Sequence, residues 1–121
     1  MSEIQLQALI FQFMWNNYPS TRRLFFHVPN GGSRNSVEGM QLKASGVVAG
    51  IPDMVLIHKG RAIGFELKTP SGKVSPVQEK VHQAWAADGT PVYIVRSLEE
   101  LQSIITPLLG DPIQQEERRV A

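Results

Sequence analysis

The chain has no cysteine, which excludes a disulfide framework and a thiolate zinc site and suits a reducing intracellular compartment. It has no apolar run near the roughly 18 uncharged residues that span a membrane, and its amino terminus lacks the basic-then-apolar pattern of a signal peptide. GxxxxGK[ST] is absent, which argues against an ATP-driven enzyme. A soluble, cytoplasmic protein is expected, in the host cytoplasm if the source is viral and possible in the nucleus of a eukaryote. Charge of one sign is also scarce. A formal net charge of +1 and a pI near 8.1 do not announce a nucleic-acid binder.

Near-neutrality is still compatible with an acidic site offset by basic residues elsewhere. Arg22 with Arg23, Arg34, Lys43, Lys59 with Arg61, and Lys68 with Lys73 could line a phosphate path; each taken alone reads equally well as solvated charge. With 121 residues, 42% of them hydrophobic, the chain can bury one core. A single domain over 1–110 is expected. The remainder, 111–121, has no core-forming pattern and is expected to be a disordered tail.

The stretch 50–68, GIPDMVLIHKGRAIGFELK, is the one place where acidic residues sit inside apolar, strand-like runs. The runs 54–57 and 62–67 flank Lys59 and Gly60, a pair that favours a two-residue hairpin turn. If the turn lies there, paired residue numbers sum to 119 and Asp53 falls opposite Glu66. Side-chain alternation then puts Asp53, Val55, Ile57, Ala62, Gly64, Glu66 and Lys68 on one face, and Met54, Leu56, Ile63, Phe65 and Leu67 on the other. Opposed residues have Cβ atoms roughly 4.5–5.5 Å apart, close enough for two carboxylates to share one hard cation. Lys68 lies next along the same face. A buried charged trio is costly unless paired or ligating metal. Its functional explanation is metal-assisted hydrolysis of a phosphodiester. The plain alternative is a turn cap at Asp53 and an edge-strand charge ladder at Glu66 and Lys68.

Elsewhere, Ser2 with Gln5 resembles a capping box that opens a helix over 3–17. Its apolar residues form two nearly opposite stripes: Leu6, Leu9, Ile10, Phe13 and Met14, and Ile4, Ala8, Phe11, Trp15 and Tyr18. A strand over 23–28 stops at Pro29. Asn30, Gly31, Gly32 and Ser33 form a tight turn whose backbone N–H groups could seat a phosphate, with Arg34 just beyond; a turn that merely turns is the alternative. A helix over 37–45 ends at Gly46. After the hairpin, Ser75 and Pro76 open a helix to about Asp88, with Gln78 in its anion-favouring first turn. Val77, Val81, Ala84 and Trp85 form its packing stripe, and His82 falls off it. His27 reads as structural and His58 as solvated. The run 92–95 reads as a strand buried on both faces, and Ser97 with Glu100 as the capping box of a last helix to about Leu109. The order is α-β-α-β-β-α-β-α around a four-stranded mixed sheet. The strands flanking helix 76–88 should be parallel, joined by a right-handed crossover.

Pro52-Asp53 followed by Glu66-Leu67-Lys68 resembles the PD-(D/E)xK nuclease signature. The flanks, from Val28-Pro29-Asn30-Gly31-Gly32 and Arg34 through Gly46, Gly50-Ile51-Pro52-Asp53, Ser75 with Gln78, and Gly89 before Val92, resemble the VRR-NUC family in its small stand-alone form. The resemblance covers the chain to about Glu100. It implies an α/β fold with a restriction-endonuclease-like core and a divalent-metal-dependent, structure-specific DNA endonuclease, with some viral members similar to Holliday-junction resolvases. Carried onto this chain, it implies Mg²⁺ or Mn²⁺ held by Asp53, Glu66 and the Leu67 carbonyl, with Lys68 aligning the attacking water and Gln78 beside that lysine. Glu3 becomes a candidate third acid, equally readable as a first-turn glutamate favoured by the helix dipole. Asn30, Gly31, Gly32, Arg34 and Lys43 are the candidate DNA contacts, and branched DNA the expected partner. A catalytically silent DNA-binding or assembly module of the same fold is the rival expectation. The second stripe of helix 3–17 predicts a homodimer.

Overall fold

A computed structural model describes residues 1–29 and 36–112. The expected glycine turn, with Asn30, Gly31, Gly32 and Arg34, lies outside the described residues, as do residues 113–121 of the expected tail. Four helices and four strands follow in the expected order: α1 (Glu3–Asn17), β1 (Phe25–His27), α2 (Ser36–Ala44), β2 (Met54–His58), β3 (Arg61–Leu67), α3 (Pro76–Ala87), β4 (Val92–Val95) and α4 (Leu98–Leu109). The strands form one mixed sheet in the order β1-β2-β3-β4, antiparallel except for the parallel pair β3 and β4.

The β2–β3 hairpin sets the frame. Lys59 and Gly60 have φ of 50° and 77°, both left-handed, as a two-residue turn that matches strand twist requires. Pairing runs from His58 with Arg61 out to Met54 with Phe65, the expected register. Met54, Leu56, Ile63, Phe65 and Leu67 consequently share the core face. Against it pack Leu6, Ile10 and Met14 of α1 and Leu101 and Ile105 of α4, all buried. The Phe25 and Phe65 rings meet edge to face, 5.9 Å apart. Burying each such side chain stabilises the fold by roughly 1.5–3 kcal/mol.

Helix α1 starts at a reciprocal cap, in which Gln5 N–H donates to Ser2 Oγ and Ser2 N–H to Gln5 Oε1. Of its first apolar stripe Leu6, Ile10 and Met14 are buried and Phe13 partly so, while Leu9 is exposed. Ile4, Phe11 and Trp15 of the second remain exposed, but Tyr18 is buried and its hydroxyl donates to the Gly110 carbonyl at 2.8 Å. Helix α3 covers the opposite face of the sheet. A Cβ on Gly64 of β3 would sit 3.0 Å from the Trp85 ring and 2.9 Å from Pro52 Cγ, so the missing side chain is what lets helix and strand close up.

Four local expectations need correction. Of the expected α3 packing stripe only Val81 and Trp85 are half-buried, while Val77 and Ala84 are exposed. β1 has three residues instead of the six from Arg23 to Val28, because Arg23 takes a φ of 78° and Leu24 N–H turns back to the Thr21 carbonyl. β4 is not buried on both faces: it is an edge strand, and Tyr93 is exposed. At α4, Ser97 Oγ accepts from Glu100 N–H as expected, but the Glu100 carboxylate reaches past the cap to the N–H of Arg96. Among the described residues no helix is long and apolar enough to cross a membrane.

Candidate functional site

Asp53 sits just before β2, at the end of a segment wedged between helix and sheet. Gly50 has φ of 86°, and a Cβ there would stand 2.9 Å from the Val77 carbonyl of α3. Pro52 is buried against Gly64. The Asp53 carbonyl accepts from Val28 N–H at 2.9 Å and from His27 Nδ1 at 2.8 Å, which assigns the proton of that ring to Nδ1. Its side chain reaches the other way: Oδ2 accepts from Leu67 N–H at 2.8 Å. A carboxylate thus takes the place of a strand carbonyl one step beyond the last ladder pair, beside Glu66.

Glu66 is buried, with 1% of its surface exposed. Both oxygens face donors from α3. Gln78 Nε2 donates to Oε2 at 3.3 Å, and His82 Nε2 lies 2.9 Å from Oε1. The amide orientation follows from the network, since Gln78 Oε1 accepts the Ser75 N–H at 2.9 Å while Ser75 Oγ accepts Gln78 N–H. One capping box therefore aims an N–H₂ group at the acid.

Burial first, and then the adjoining Asp53 carboxyl by hydrogen bond and by charge, push the Glu66 carboxyl up to about 9; the Lys68 ammonium opposes them and Glu3 adds a smaller push. Two acids this close share a proton unless a cation replaces it. His82 is held below the usual histidine range by burial first and then by Lys68, so its ring is neutral at physiological pH.

Lys68 is buried, unusual for a lysine. Its backbone N–H extends the pairing to the Val95 carbonyl at 3.0 Å, while its charge acts on both Glu66 and His82. Arg96 fixes the loop that follows. Its Nη1 donates to the carbonyls of Thr69 at 2.8 Å and Gly72 at 2.6 Å, setting the path from Lys68 to the α3 cap.

Asp53, Glu66, Lys68 and Gln78 are thus brought together. Glu3 stands apart: it is exposed in the first turn of α1 and reaches Glu66 through its field. Lys43 is exposed in the last turn of α2. Sequence reasoning missed His82, His27 and Arg96 as parts of the site. A signal existed for His82, because it follows Gln78 by four residues and so shares its helix face.

The donor set fits a hard divalent cation: two carboxylates that otherwise compete for one proton, and oxygen ligands without a thiolate. Among the described residues no group of three or more His, Asp or Glu side chains could hold a metal alone. A cation here would draw on Asp53, Glu66 and water, in the manner of magnesium.

No family model matches this sequence, and no curated protein does. Its fold is similar to that of a solved VRR_NUC domain protein. The TM-score is 0.72 over 90% of this chain and 88% of that one, at 18% identity. At that identity the likeness establishes a shared fold, a four-stranded mixed sheet flanked by helices.

Proposed function

We propose that this chain is a Mg²⁺- or Mn²⁺-dependent endonuclease of branched DNA, four-way junctions among its substrates. The observation that carries the reading is the joined carboxyl pair of Asp53, half-buried, and Glu66, buried beside Lys68, at the open end of the hairpin. When bound, the cation lowers the pKa of a ligated water and offsets charge developing on the phosphate. Asp53, Glu66 and the Leu67 carbonyl hold it. Lys68 orients the attacking water and steadies the anion, while Gln78 keeps the Glu66 carboxylate in place. The fold shared with a VRR_NUC domain protein supports the reading.

The chain acts as a homodimer in this proposal. Ile4, Phe11 and Trp15 of α1 are exposed, and beside them lies a cleft of about 450 Å³ lined by Phe11, Phe26 and Met54 among others. A second copy across a two-fold axis would cover this patch and present two equal sites to the symmetric strands of a junction.

The test is one gel. Labelled four-way junction, flap, nicked and linear DNA are incubated with Mg²⁺, Mn²⁺ or chelator. Cleavage of branched DNA that requires the metal is expected. DNA bound but never cut, with either ion, would favour a catalytically silent binding module.

A further inference from the structure

We propose that His82 is a positioning residue for the cation site, holding the Glu66 carboxylate by a hydrogen bond from Nε2 to Oε1. The inference rests on the metal-site reading above and adds to it a residue that touches neither cation nor DNA. Residues 78 and 82 are four apart and share one face of α3. Each addresses a different oxygen of the same carboxyl, at 3.3 Å and 2.9 Å. Together they fix the carboxyl plane, leaving the other lone pairs of both oxygens for a cation. With a cation in place of the shared proton Glu66 would be ionised and could only accept, so the ring proton would sit on Nε2, leaving Nδ1 bare. His82 is itself 15% exposed against 1% for Glu66, so it also walls the acid from solvent on the α3 side. Residues that orient a ligand in this way typically alter metal affinity about 10- to 100-fold when replaced.

The experiment is calorimetric Mn²⁺ titration of the full chain in four forms: parent, Glu66→Gln, His82→Phe and His82→Gln. Phenylalanine keeps ring volume without a donor, and glutamine restores an N–H near the Nε2 position. His82→Phe should weaken Mn²⁺ binding about 10- to 100-fold, and His82→Gln should recover most of it. Alongside, ¹⁵N-resolved spectra of the Mg²⁺-loaded parent should show His82 as the Nε2–H tautomer, with its resonances displaced from those of the metal-free chain and no such displacement in Glu66→Gln. If His82→Phe binds Mn²⁺ like the parent while Glu66→Gln does not, the metal site stands and the His82 proposal falls. If the parent binds no better than Glu66→Gln, both fall. Should His82→Phe not fold, the tautomer decides: an Nδ1–H ring in the Mg²⁺-loaded parent overturns the proposal.

Discussion

The Asp53 carboxylate accepts the backbone N–H of Leu67 at 2.8 Å, so a side chain completes the sheet where the β2 ladder ends. The same bond places one acid against the next residue back along β3, Glu66, whose carboxyl lies within hydrogen-bonding reach of it. An acid pair built into strand pairing cannot be moved apart without unzipping the hairpin.

Asp53→Asn and Glu66→Gln each remove a ligand charge with little change in volume, and asparagine keeps an oxygen for Leu67 N–H. Each should lower metal-dependent cleavage by at least about 10²–10³-fold while DNA binding persists. Lys68→Ala should be similarly inactive yet still bind Mn²⁺. Cleavage near the parent rate in either carboxylate variant would contradict the assignment, and loss of folding would make the acids structural.

The metal-free protein should lose stability as pH rises. Folded, Glu66 keeps its proton to about 9; the usual glutamate value is 4.5. Between these values the folded state binds more protons than the unfolded one, so the free energy of unfolding falls with rising pH across that window. Melting curves in chelator at pH 5, 7 and 9 should descend for the parent more steeply than for Glu66→Gln, and saturating Mg²⁺ should flatten the parent. Parallel curves for parent and variant would contradict the raised carboxyl.

Gly50→Ala should destabilise the fold by about 1–3 kcal/mol. The residue has φ of 86°, and the added carbon would meet the Val77 carbonyl at 2.9 Å and the side chains of Val77 and Val81 at 3.0 Å. Urea unfolding measures the loss. A variant as stable as the parent would mean that α3 sits farther from the Asp53 segment than described.

Light scattering at micromolar concentration should give twice the chain mass of 13.5 kDa. Trp15→Glu should halve it, by placing a charge in the exposed stripe of α1. The substitution also meets a cost within the chain, because Arg22 stacks over the Trp15 ring at 4.8 Å. A parent that scatters as a monomer contradicts the dimer; a Trp15→Glu dimer contradicts the chosen face.

The hairpin register was legible in the residues themselves. Lys59 and Gly60 accept left-handed backbone, and period-two alternation then assigns every side chain from Asp53 to Lys68 to a face, because slipping by one residue would exchange the faces and put Glu66 in the apolar core. Helix starts at Ser2 and Ser75 were equally legible, since a cap needs only neighbours three residues apart. The edge position of β4 was not. Val92–Val95 is uniformly apolar, and only strand order tells an edge from a centre.

Tertiary structure likewise decided the surroundings of Glu66. Sequence placed Gln78 beside the site by resemblance, but the approach of His82 depends on how closely α3 descends onto β3, which Gly64 and Gly50 permit by lacking side chains. The 27 residues' separation of Arg96 from Thr69 hides its hold on the loop in the same way. Local patterns determine which strand, turn and cap a residue joins, because those depend on near neighbours and period. Which distant side chain turns toward a buried acid is set by packing of helix on sheet, and that is a property of the folded chain alone.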